Sequence, residues 1–324
     1  MSRTVLIAIG GNALIHEGEG GSLTIQSARA HEFAETVADL VQDGWTPIIT
    51  HGNGPQVGFI LRRGELAASD ALVERLPDLP LWLAVADSQG GIGHIITVAL
   101  NAVMRRRGLA NPVAAVLTHT IIDIDDEAFG HPTKPIGSWL DAPTAMQHVV
   151  DDGWDVHEED PGSYRRVVAS PAPLEVVELD AIRTLMQAGA IVVAAGGGGI
   201  PVQVLDHDLV PVDAVIDKDR VSALLAAQLR TSAMVIVTGV DRVCVDFRGP
   251  HERALDVITA AEAETLLEAG HFPPGSMGPK IESAIAYVAG CGSDAVITSI
   301  GLVREALRGT AGTRIVPGSE GLVD

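Results

Sequence analysis

The sequence predicts an α/β fold with a mostly parallel sheet that carries helices on both faces. Along the 324 residues, short apolar runs alternate with segments whose apolar residues repeat at helical spacing. Aromatic residues make up only 3% of a chain that is 47% hydrophobic, so Val, Ile, Leu and Ala must form the core. These residues suit parallel strands that are buried on both faces, and the alternation implies helical connections between the strands.

Six apolar runs predict the buried strands, and three amphipathic segments predict helices. The strands cover residues 5–9, 47–50, 113–117, 191–195, 234–238 and 295–298. Apolar residues at helical spacing in 33–41 and 179–186 are followed by Gly44 and Gly189, which are typical of helix ends. Thr259 and Glu262 form the pattern of a capping box, with Gly270 after the end of that helix.

Residues 121–167 interrupt this rhythm. The segment is rich in Asp, Pro, Gly, His and Trp and has little periodicity, so it predicts a small subdomain that leaves the main sheet. An insertion of this length in a compact enzyme usually has a functional role. The polar stretch 203–212 predicts a boundary between two lobes.

Composition excludes several classes of function. The net charge of −20 argues against nucleic acids and anionic membrane surfaces as partners, since both require a basic face. No long apolar run is free of glycine and charge, so we expect no membrane span. Cys244 and Cys291 have no metal-ligand spacing and are too few for a disulfide scaffold. We interpret residues 5–9 as a strand rather than part of a signal peptide, and expect a cytoplasmic protein.

The most informative feature is the small number of lysines. Of 22 basic residues only Lys134, Lys218 and Lys280 are lysine, and the rest are arginine. These three therefore mark positions where a compact ammonium group fits a tight phosphate site and a planar guanidinium does not. Lys218 and Lys280 are predicted to lie at helix N-termini, where the helix dipole and free N–H groups also favour a phosphate.

Three glycine clusters follow predicted strands. They are Gly10 with Gly11, then Gly52 to Gly58, and then Gly196 to Gly199. Loops at the carboxyl ends of parallel strands line the ligand crevice, and glycine allows backbone N–H groups to approach phosphate oxygens. None of the clusters has the spacing of a P-loop. GNGPQVG has three residues rather than two before its last glycine, which disfavours a dinucleotide oxidoreductase.

Longer motifs carry a resemblance to a known family. The strings AIGGNAL, THGNGPQVG, SQGGIG, FGHPTKPIG, RRVVASP, VVAAGGGGIPV, DAVIDKDRVSALLA and GSMGPKIESAI occur in order over nearly the whole chain. In these strings the sequence resembles the carbamate kinases of the amino acid kinase family. The resemblance implies reversible phosphoryl transfer between ATP/ADP and carbamate/carbamoyl phosphate, with Mg²⁺ bridging the nucleotide phosphates and few protein ligands on the metal. Arginine metabolism is one of several pathways that it leaves open.

The same resemblance implies an architecture. It is a three-layer αβα sandwich with an open, mainly parallel sheet, two lobes and a small protruding subdomain, assembled as a homodimer. Residues 1–205 would form the acceptor lobe, with the subdomain at about 121–167 covering the acceptor site. Residues 206–324 would form the nucleotide-binding lobe.

The resemblance also implies roles for individual residues. Phosphoryl and acceptor binding would fall to Gly10, Gly11, Asn12, Gly52, Asn53, Gly54 and Gln89. The catalytic group would be Lys134, Lys218 and Lys280, with Asp219 orienting the lysines. The nucleotide side would include Asp217, Gly239, Val240, Asp241, Met277 and Gly278. No protein metal site is expected.

Departures from the family pattern concentrate on the acceptor side. Asp87, His94, Ser138, Leu140 and Ala169 stand where carbamate kinases usually have other residues. One interpretation is ordinary sequence drift. The other is a changed acceptor, either carbamate-like or amidino, because a carboxylate at Asp87 facing the pocket would favour a cationic substrate. A non-catalytic nucleotide sensor on the same fold is a further alternative, which the presence of all three lysines disfavours.

Overall fold

A computed structural model describes residues 3–10, 22–69, 77, 79–273 and 275–318. Gly11 and Asn12 lie outside the described residues. The strands are β1 (Arg3–Ile9), β2 (Trp45–His51), β3 (Val113–Ala115), β4 (His119–Ile122), β5 (Lys134–Asp141), β6 (Asp155–Asp160), β7 (Ser163–Val168), β8 (Pro173–Val176), β9 (Ile191–Val193), β10 (Ile200–Leu205), β11 (Asp208–Pro211), β12 (Ala233–Val237), β13 (Cys244–Val245), β14 (Arg253–Ala254), β15 (Val257–Thr259), β16 (Asp294–Thr298) and β17 (Thr313–Val316). The helices are α1 (Leu23–Gln42), α2 (Gly54–Ser69), α3 (Leu81–Arg106), α4 (Ala142–Asp152), α5 (Leu179–Gln187), α6 (Lys218–Leu229), α7 (Ala260–Glu268), α8 (Gly278–Cys291) and α9 (Val303–Leu307).

An eight-stranded sheet forms the centre of the molecule, in the order β15-β17-β16-β12-β1-β2-β9-β3. Neighbouring strands are parallel throughout, except that β16 and β17 are antiparallel. All six strands predicted from apolar runs belong to this sheet. The prediction of an open, mainly parallel sheet is therefore confirmed.

Helices cover both faces of the sheet, which gives three layers. Side chains of β1 alternate between two buried clusters, as strand geometry requires. Leu6 and Ala8 belong to a cluster that includes residues of α5, α6, α7 and α8. Val5, Ile7 and Ile9 belong to the other cluster, with residues of α1, α3 and α9.

The predicted helix ends are present. Gly44, Gly189 and Gly270 follow α1, α5 and α7 with φ values of 85°, 77° and 77°, which is backbone that glycine adopts without strain. Thr259 and Glu262 form both hydrogen bonds of the capping box at the start of α7. These ends are local features, so their residues specify them without help from distant contacts.

Three smaller sheets accompany the main one among the described residues. β11, β10, β4 and β8 form a four-stranded sheet, β5, β7 and β6 form a three-stranded sheet, and β13 and β14 form a two-stranded one. The three-stranded sheet and α4 together span residues 134–168, and we call this part the subdomain. The predicted segment 121–167 starts earlier than these elements, and its first two residues lie in β4, which pairs with β10. The bounds 121–167 stay a prediction.

The predicted boundary at 203–212 lies in the β10–β11 hairpin. Strands from before this hairpin form one half of the main sheet, and strands from after it form the other half. The two halves join through the β1–β12 pair into one continuous sheet. The two-lobe division stays a prediction.

Within the described residues, α3 is long and apolar enough to cross a membrane, judged by length and composition alone. Half of its most apolar window is buried inside the protein. Core helices of globular proteins meet the same criterion, and α3 supplies Ile92, Ile96 and Leu100 to the core.

Tyr287 anchors α8 to the segment that leads into β12. Its buried hydroxyl donates to the Thr231 carbonyl oxygen over 2.8 Å and lies 3.0 Å from the Thr231 hydroxyl. We expect Tyr287→Phe to lower the free energy of unfolding by about 1–3 kcal/mol, because it leaves a buried carbonyl oxygen unsatisfied. Urea unfolding followed by circular dichroism measures this change.

The matched control is Tyr164→Phe, at the other of the two tyrosines. Tyr164 lies in the subdomain and is only partly buried, so its loss should change stability by no more than about 0.5 kcal/mol. Equal effects of the two substitutions would contradict the assigned role of Tyr287.

Candidate active site

A cavity of about 860 Å³ opens at the carboxyl ends of β1, β2 and β12. Gly10 follows β1, residues 52–54 follow β2, and residues 238–240 follow β12 in its wall. Residues 134–136 at the start of β5 form another part of the wall. This position agrees with the general location of ligand crevices in open parallel sheets.

All three lysines of the chain line this cavity. The Lys134 ammonium lies 2.5 Å from a carboxylate oxygen of Asp217. The Lys280 ammonium lies 2.9 Å from one oxygen of Asp219, and Lys218 donates to the other oxygen. Elements far apart in sequence thus bring together three cations and two anions.

Burial makes the charges of this cluster strongly interdependent. The Asp219 side chain is only 4% exposed, and burial alone would raise its pKa. The ammonium groups of Lys218 and Lys280 outweigh this effect and hold the pKa of Asp219 below its ordinary value. Burial lowers the pKa of Lys218, while Asp219 opposes that shift. Since a buried carboxylate needs its partners, Asp219 holds both ammonium groups in the cavity.

Asp217 has two roles at the start of α6. Burial opposes its ionisation, but Lys134 and Lys218 hold its pKa well below the usual range. Its other oxygen caps α6 by accepting from the backbone N–H groups of Asp219 at 2.8 Å and Arg220 at 3.3 Å. One carboxylate therefore fixes both the helix end and the subdomain lysine.

These caps correct part of the prediction about helix N-termini. At α6, Asp217 occupies two N–H groups of the first turn. At α8, Gly278 N–H donates to Pro273 O over 2.9 Å and Lys280 N–H donates to Met277 O over 3.1 Å. Because these backbone donors are already bonded, the ammonium groups supply most of the positive charge that α6 and α8 present to the cavity.

The glycine clusters differ in what they do. Gly10, Gly52 and Gly54 line the cavity, but Gly52 N–H already donates to Ile9 O over 3.0 Å. The whole 196–199 stretch is buried. A Cβ on Gly197 would lie 2.3 Å from the Asn53 side chain, and one on Gly198 would lie 2.3 Å from Ile216 O. The four glycines leave room for the side chains of His51, Asn53 and Thr120 and for the backbone at Ile216, and of the cluster only Gly197 lines the cavity. Phosphate binding by this cluster stays a prediction.

Gln89 is not among the described residues that line the cavity. Its amide nitrogen donates to Thr118 O over 2.9 Å, and its amide oxygen accepts from Thr118 N–H over 3.0 Å. Both ends of this buried side chain are therefore engaged with the backbone. Gln89 supports the loop after β3, and its contact with the acceptor stays a prediction.

On the nucleotide side, most predicted residues lie in or beside the cavity. Asp217, Gly239, Val240 and Met277 line it. Asp241 lines an adjoining recess of about 660 Å³, which shares Gly239 and Val240 with the main cavity. Gly278 lies between two lining residues, Met277 and Pro279.

Comparison with known proteins places this geometry in a family. A model of the amino acid kinase family matches residues 3–299. The chain belongs to this family. It is 42% identical to the carbamate kinase-like protein YahI of Escherichia coli, over 98% of this chain and 99% of the relative. It is 40% identical to a carbamate kinase of Thermococcus kodakarensis, over 97% and 99% of the two chains.

A solved structure of the same family agrees. The carbamate kinase of Giardia lamblia bound to AMP-PNP superposes with a TM-score of 0.90 at 36% identity, covering 98% of this chain and 99% of that chain. The predicted family and α/β fold class are thus confirmed.

Several lining residues escaped the sequence analysis. They are Arg29 and Glu32 of α1, and Phe247 and Arg248 between β13 and β14, and all four belong to the cavity wall. None stands in a glycine loop or beside a lysine, so no family motif marked them as functional. Phe247 did offer one signal, because it is one of only five phenylalanines and is 46% exposed.

The acceptor-side departures do not gather in the cavity. Asp87, His94 and Ser138 are exposed, and Ala169 is buried away from solvent. Asp87 lies on α3, outside the described cavity wall. The hypothesis that its carboxylate faces the pocket is therefore wrong.

This location gives a direct prediction for Asp87→Met in this amino acid kinase family member. Because Asp87 is exposed and outside the cavity wall, we expect the KM for carbamoyl phosphate to change by no more than about twofold. Steady-state kinetics on the variant and the parent measure it. A marked gain in the use of carbamoyl phosphate would restore Asp87 to the acceptor site.

His51 is buried at the end of β2, and its Nδ1–H donates to Gly52 O over 3.0 Å. Burial is the main cause that lowers the pKa of His51 from 6.5 to about 4, with Lys218 adding to the shift. In the unfolded chain the His51 ring takes up a proton near pH 6.5, whereas in the folded protein it does so only near pH 4. The neutral ring therefore makes its full contribution to the free energy of unfolding above pH 6.5, and this contribution is lost as the pH falls toward 4. When the pH falls from 7 to 5, we expect the titration of His51 to lower the free energy of unfolding by about 2 kcal/mol.

NMR titration of the His51 ring, alongside urea unfolding at both pH values, tests this assignment. The His51→Gln variant is the control, since it should lack this part of the pH dependence. A His51 ring that titrates near pH 6.5 in the folded protein would refute the assignment.

Proposed function

We propose that this protein catalyses reversible phosphoryl transfer between ATP/ADP and carbamate/carbamoyl phosphate. The observation that carries the proposal is the meeting of Lys134, Lys218 and Lys280 on two carboxylates in one cavity. Relatives named carbamate kinase at about 40% identity over nearly the whole chain support the same activity.

The chemical demand on the protein is mainly positioning and charge. Phosphoryl transfer requires attacking and leaving oxygens in line and cations near the oxygens of the transferring group. We assign that charge to Lys218 and Lys280, which Asp219 holds side by side. Because Asp219 is buried and shared, it fixes the two ammonium groups before any substrate arrives.

Lys134 would complete the site from the subdomain. Its side chain is 30% exposed and its ammonium group is paired with Asp217, so an arriving phosphate can compete for it. Strand β5 forms one wall of the cavity above the glycines that follow β1 and β2. In this arrangement the subdomain would also exclude water, which limits hydrolysis of ATP and of labile carbamoyl phosphate.

We propose a division of the cavity between the two halves of the chain. Residues 1–205 would hold the acceptor through Gly10, Gly52, Asn53 and Gly54. Residues 206–324 would hold the nucleotide through Gly239, Val240 and Met277, with Asp241 and Gly278 beside them. This division follows the positions of these residues on either side of the β1–β12 pair.

Magnesium would enter with the nucleotide. Among the described residues no group of three His, Cys, Asp or Glu side chains is arranged to bind a metal ion. The two carboxylates nearest the lysines, Asp217 and Asp219, are already paired. The residues therefore fit a Mg²⁺ ion held mainly by phosphates and water, where it would neutralise part of the phosphate charge.

We propose a cytoplasmic homodimer, on the family resemblance alone. Light scattering on the purified protein would measure the mass in solution and decide the oligomeric state.

The activity test is ATP synthesis from Mg-ADP and fresh carbamoyl phosphate. We expect the parent to form ATP, and Lys280→Ala to lower kcat by about 100-fold to 1,000-fold because a cation near the transferring group is lost. Lys280→Arg should also lose most activity, since a planar guanidinium cannot replace the ammonium beside Asp219.

Arg220→Ala is the matched control. Arg220 directly follows Asp219 on α6, but its side chain is exposed and pairs with Glu282 on the protein surface. Its removal should leave kcat nearly unchanged. A parent that binds ADP but forms no ATP would contradict the proposed function, and an active Lys280→Arg variant would contradict the argument from the lysine count.

A further inference from the structure

Helix α2 and strand β5 touch through two glycines. A Cβ added to Gly58 would lie 2.3 Å from the Cα of Gly137 and 2.8 Å from its nitrogen. Both atoms are backbone, so rotation of a side chain cannot relieve such a contact. Gly58 belongs to the main body and Gly137 to the subdomain, and the backbones can meet at this depth only without a side chain on Gly58.

Residues of the subdomain itself hold Gly137 in the conformation that meets α2. The β5–β7 register shifts between Ile136 and Leu140, and Gly137 lies in that irregular stretch with φ of 73°. The guanidinium of Arg165 donates to Gly137 O over 3.2 Å and lies over the Trp139 ring. Arg165 on β7 therefore fixes the shape that Gly137 presents to α2.

Apolar side chains surround the glycine contact. Val57 and Leu61, on either side of Gly58 in α2, share a buried cluster with Ile136 and Val168 of the subdomain. This cluster pulls the two parts together, while the glycines determine how closely they approach. Lys134 lies three residues before Gly137, about 10 Å along the same strand.

We propose that Gly58 and Gly137 are positioning residues that set the docking depth of the subdomain and thereby place the Lys134 ammonium against Asp217. A methyl group on Gly58 would push β5 away by about 1 Å before ordinary contact distance is reached. Lys134 would move with β5, whereas Lys218, Lys280 and Asp219 belong to other elements. The kinetic consequence rests on the proposed function, but the structural consequence does not.

The first experiment compares Gly58→Ala with Gly64→Ala on the same helix. Among the described residues, a Cβ on Gly64 would meet side-chain atoms of Leu79, the nearest at 3.4 Å, so this control adds the same methyl group without the clash seen at Gly58. In Gly58→Ala we expect kcat to fall about tenfold to 100-fold, because a displacement of about 1 Å is costly in an aligned site. The Kd for ADP should remain within about twofold of the parent value, as should both constants in Gly64→Ala.

The second readout does not depend on activity. Because the chain has only three lysines, acylation with an amine-reactive ester followed by peptide mapping reports each ammonium separately. In Gly58→Ala, Lys134 should react several-fold faster than in the parent, since it leaves Asp217, while Lys280 should react at the parent rate. Cooperative thermal unfolding establishes that each variant is folded.

Two further variants separate positioning from a general structural effect. In the Lys134→Ala background, adding Gly58→Ala should cause no further loss of kcat, because Gly58 acts through Lys134. Arg165→Met removes the hydrogen bond to Gly137 O within the subdomain and adds no atom against α2. It should also raise the labelling of Lys134, and it keeps the test available if Gly58→Ala does not fold.

The outcomes are distinguishable. Unchanged Lys134 labelling in folded Gly58→Ala, or a multiplicative loss of kcat in the double variant, would overturn the inference while leaving the proposed function intact. A parent that forms no ATP, together with faster Lys134 labelling in Gly58→Ala, would overturn the proposed function and support the inference.

Discussion

The rest of the site depends on the buried Asp219 carboxylate and its two lysine partners. A buried charge is costly unless it is paired, so Lys218 on α6 and Lys280 on α8 must converge on it. Close packing of the two helices permits this, since a Cβ on Gly290 would lie 3.1 Å from the Ala227 methyl group. The triad in turn determines where positive charge stands in the cavity, and this charge is what a phosphate group recognises.

Close contacts at glycines assemble the remaining walls. Gly197 packs against Asn53, Gly198 against Ile216 and Gly58 against Gly137. Each contact joins segments from different elements, and together they fix the loop after β2, the residues before α6 and the subdomain relative to one another. Glycine at these positions leaves room for a backbone or side chain of another segment to approach closely.

The local charge of the cavity is opposite to that of the whole chain. A protein with a net charge of −20 attracts an anionic nucleotide only where cations are concentrated, and its three lysines stand together in one cavity. Arg29, Arg242 and Arg248 line the same wall. Burial strengthens the charges of Lys218 and Lys280, because little water remains to screen them, whereas Arg242 and Arg248 are exposed.

The sequence by itself determined the six core strands, the glycine ends of three helices and the capping box of α7, because these follow from local periodicity and local hydrogen bonding. Composition alone singled out the three lysines, which the fold brings into one cavity. The bonding of Gln89 to Thr118, the buried packing of the 196–199 loop, the exposure of Asp87 and the start of the subdomain at Lys134 were decided only in the tertiary structure. Each of these depends on which distant segment packs against the residue. A motif records the residue type that such a contact requires, but the partner across the contact is fixed only when the sheet and helices assemble.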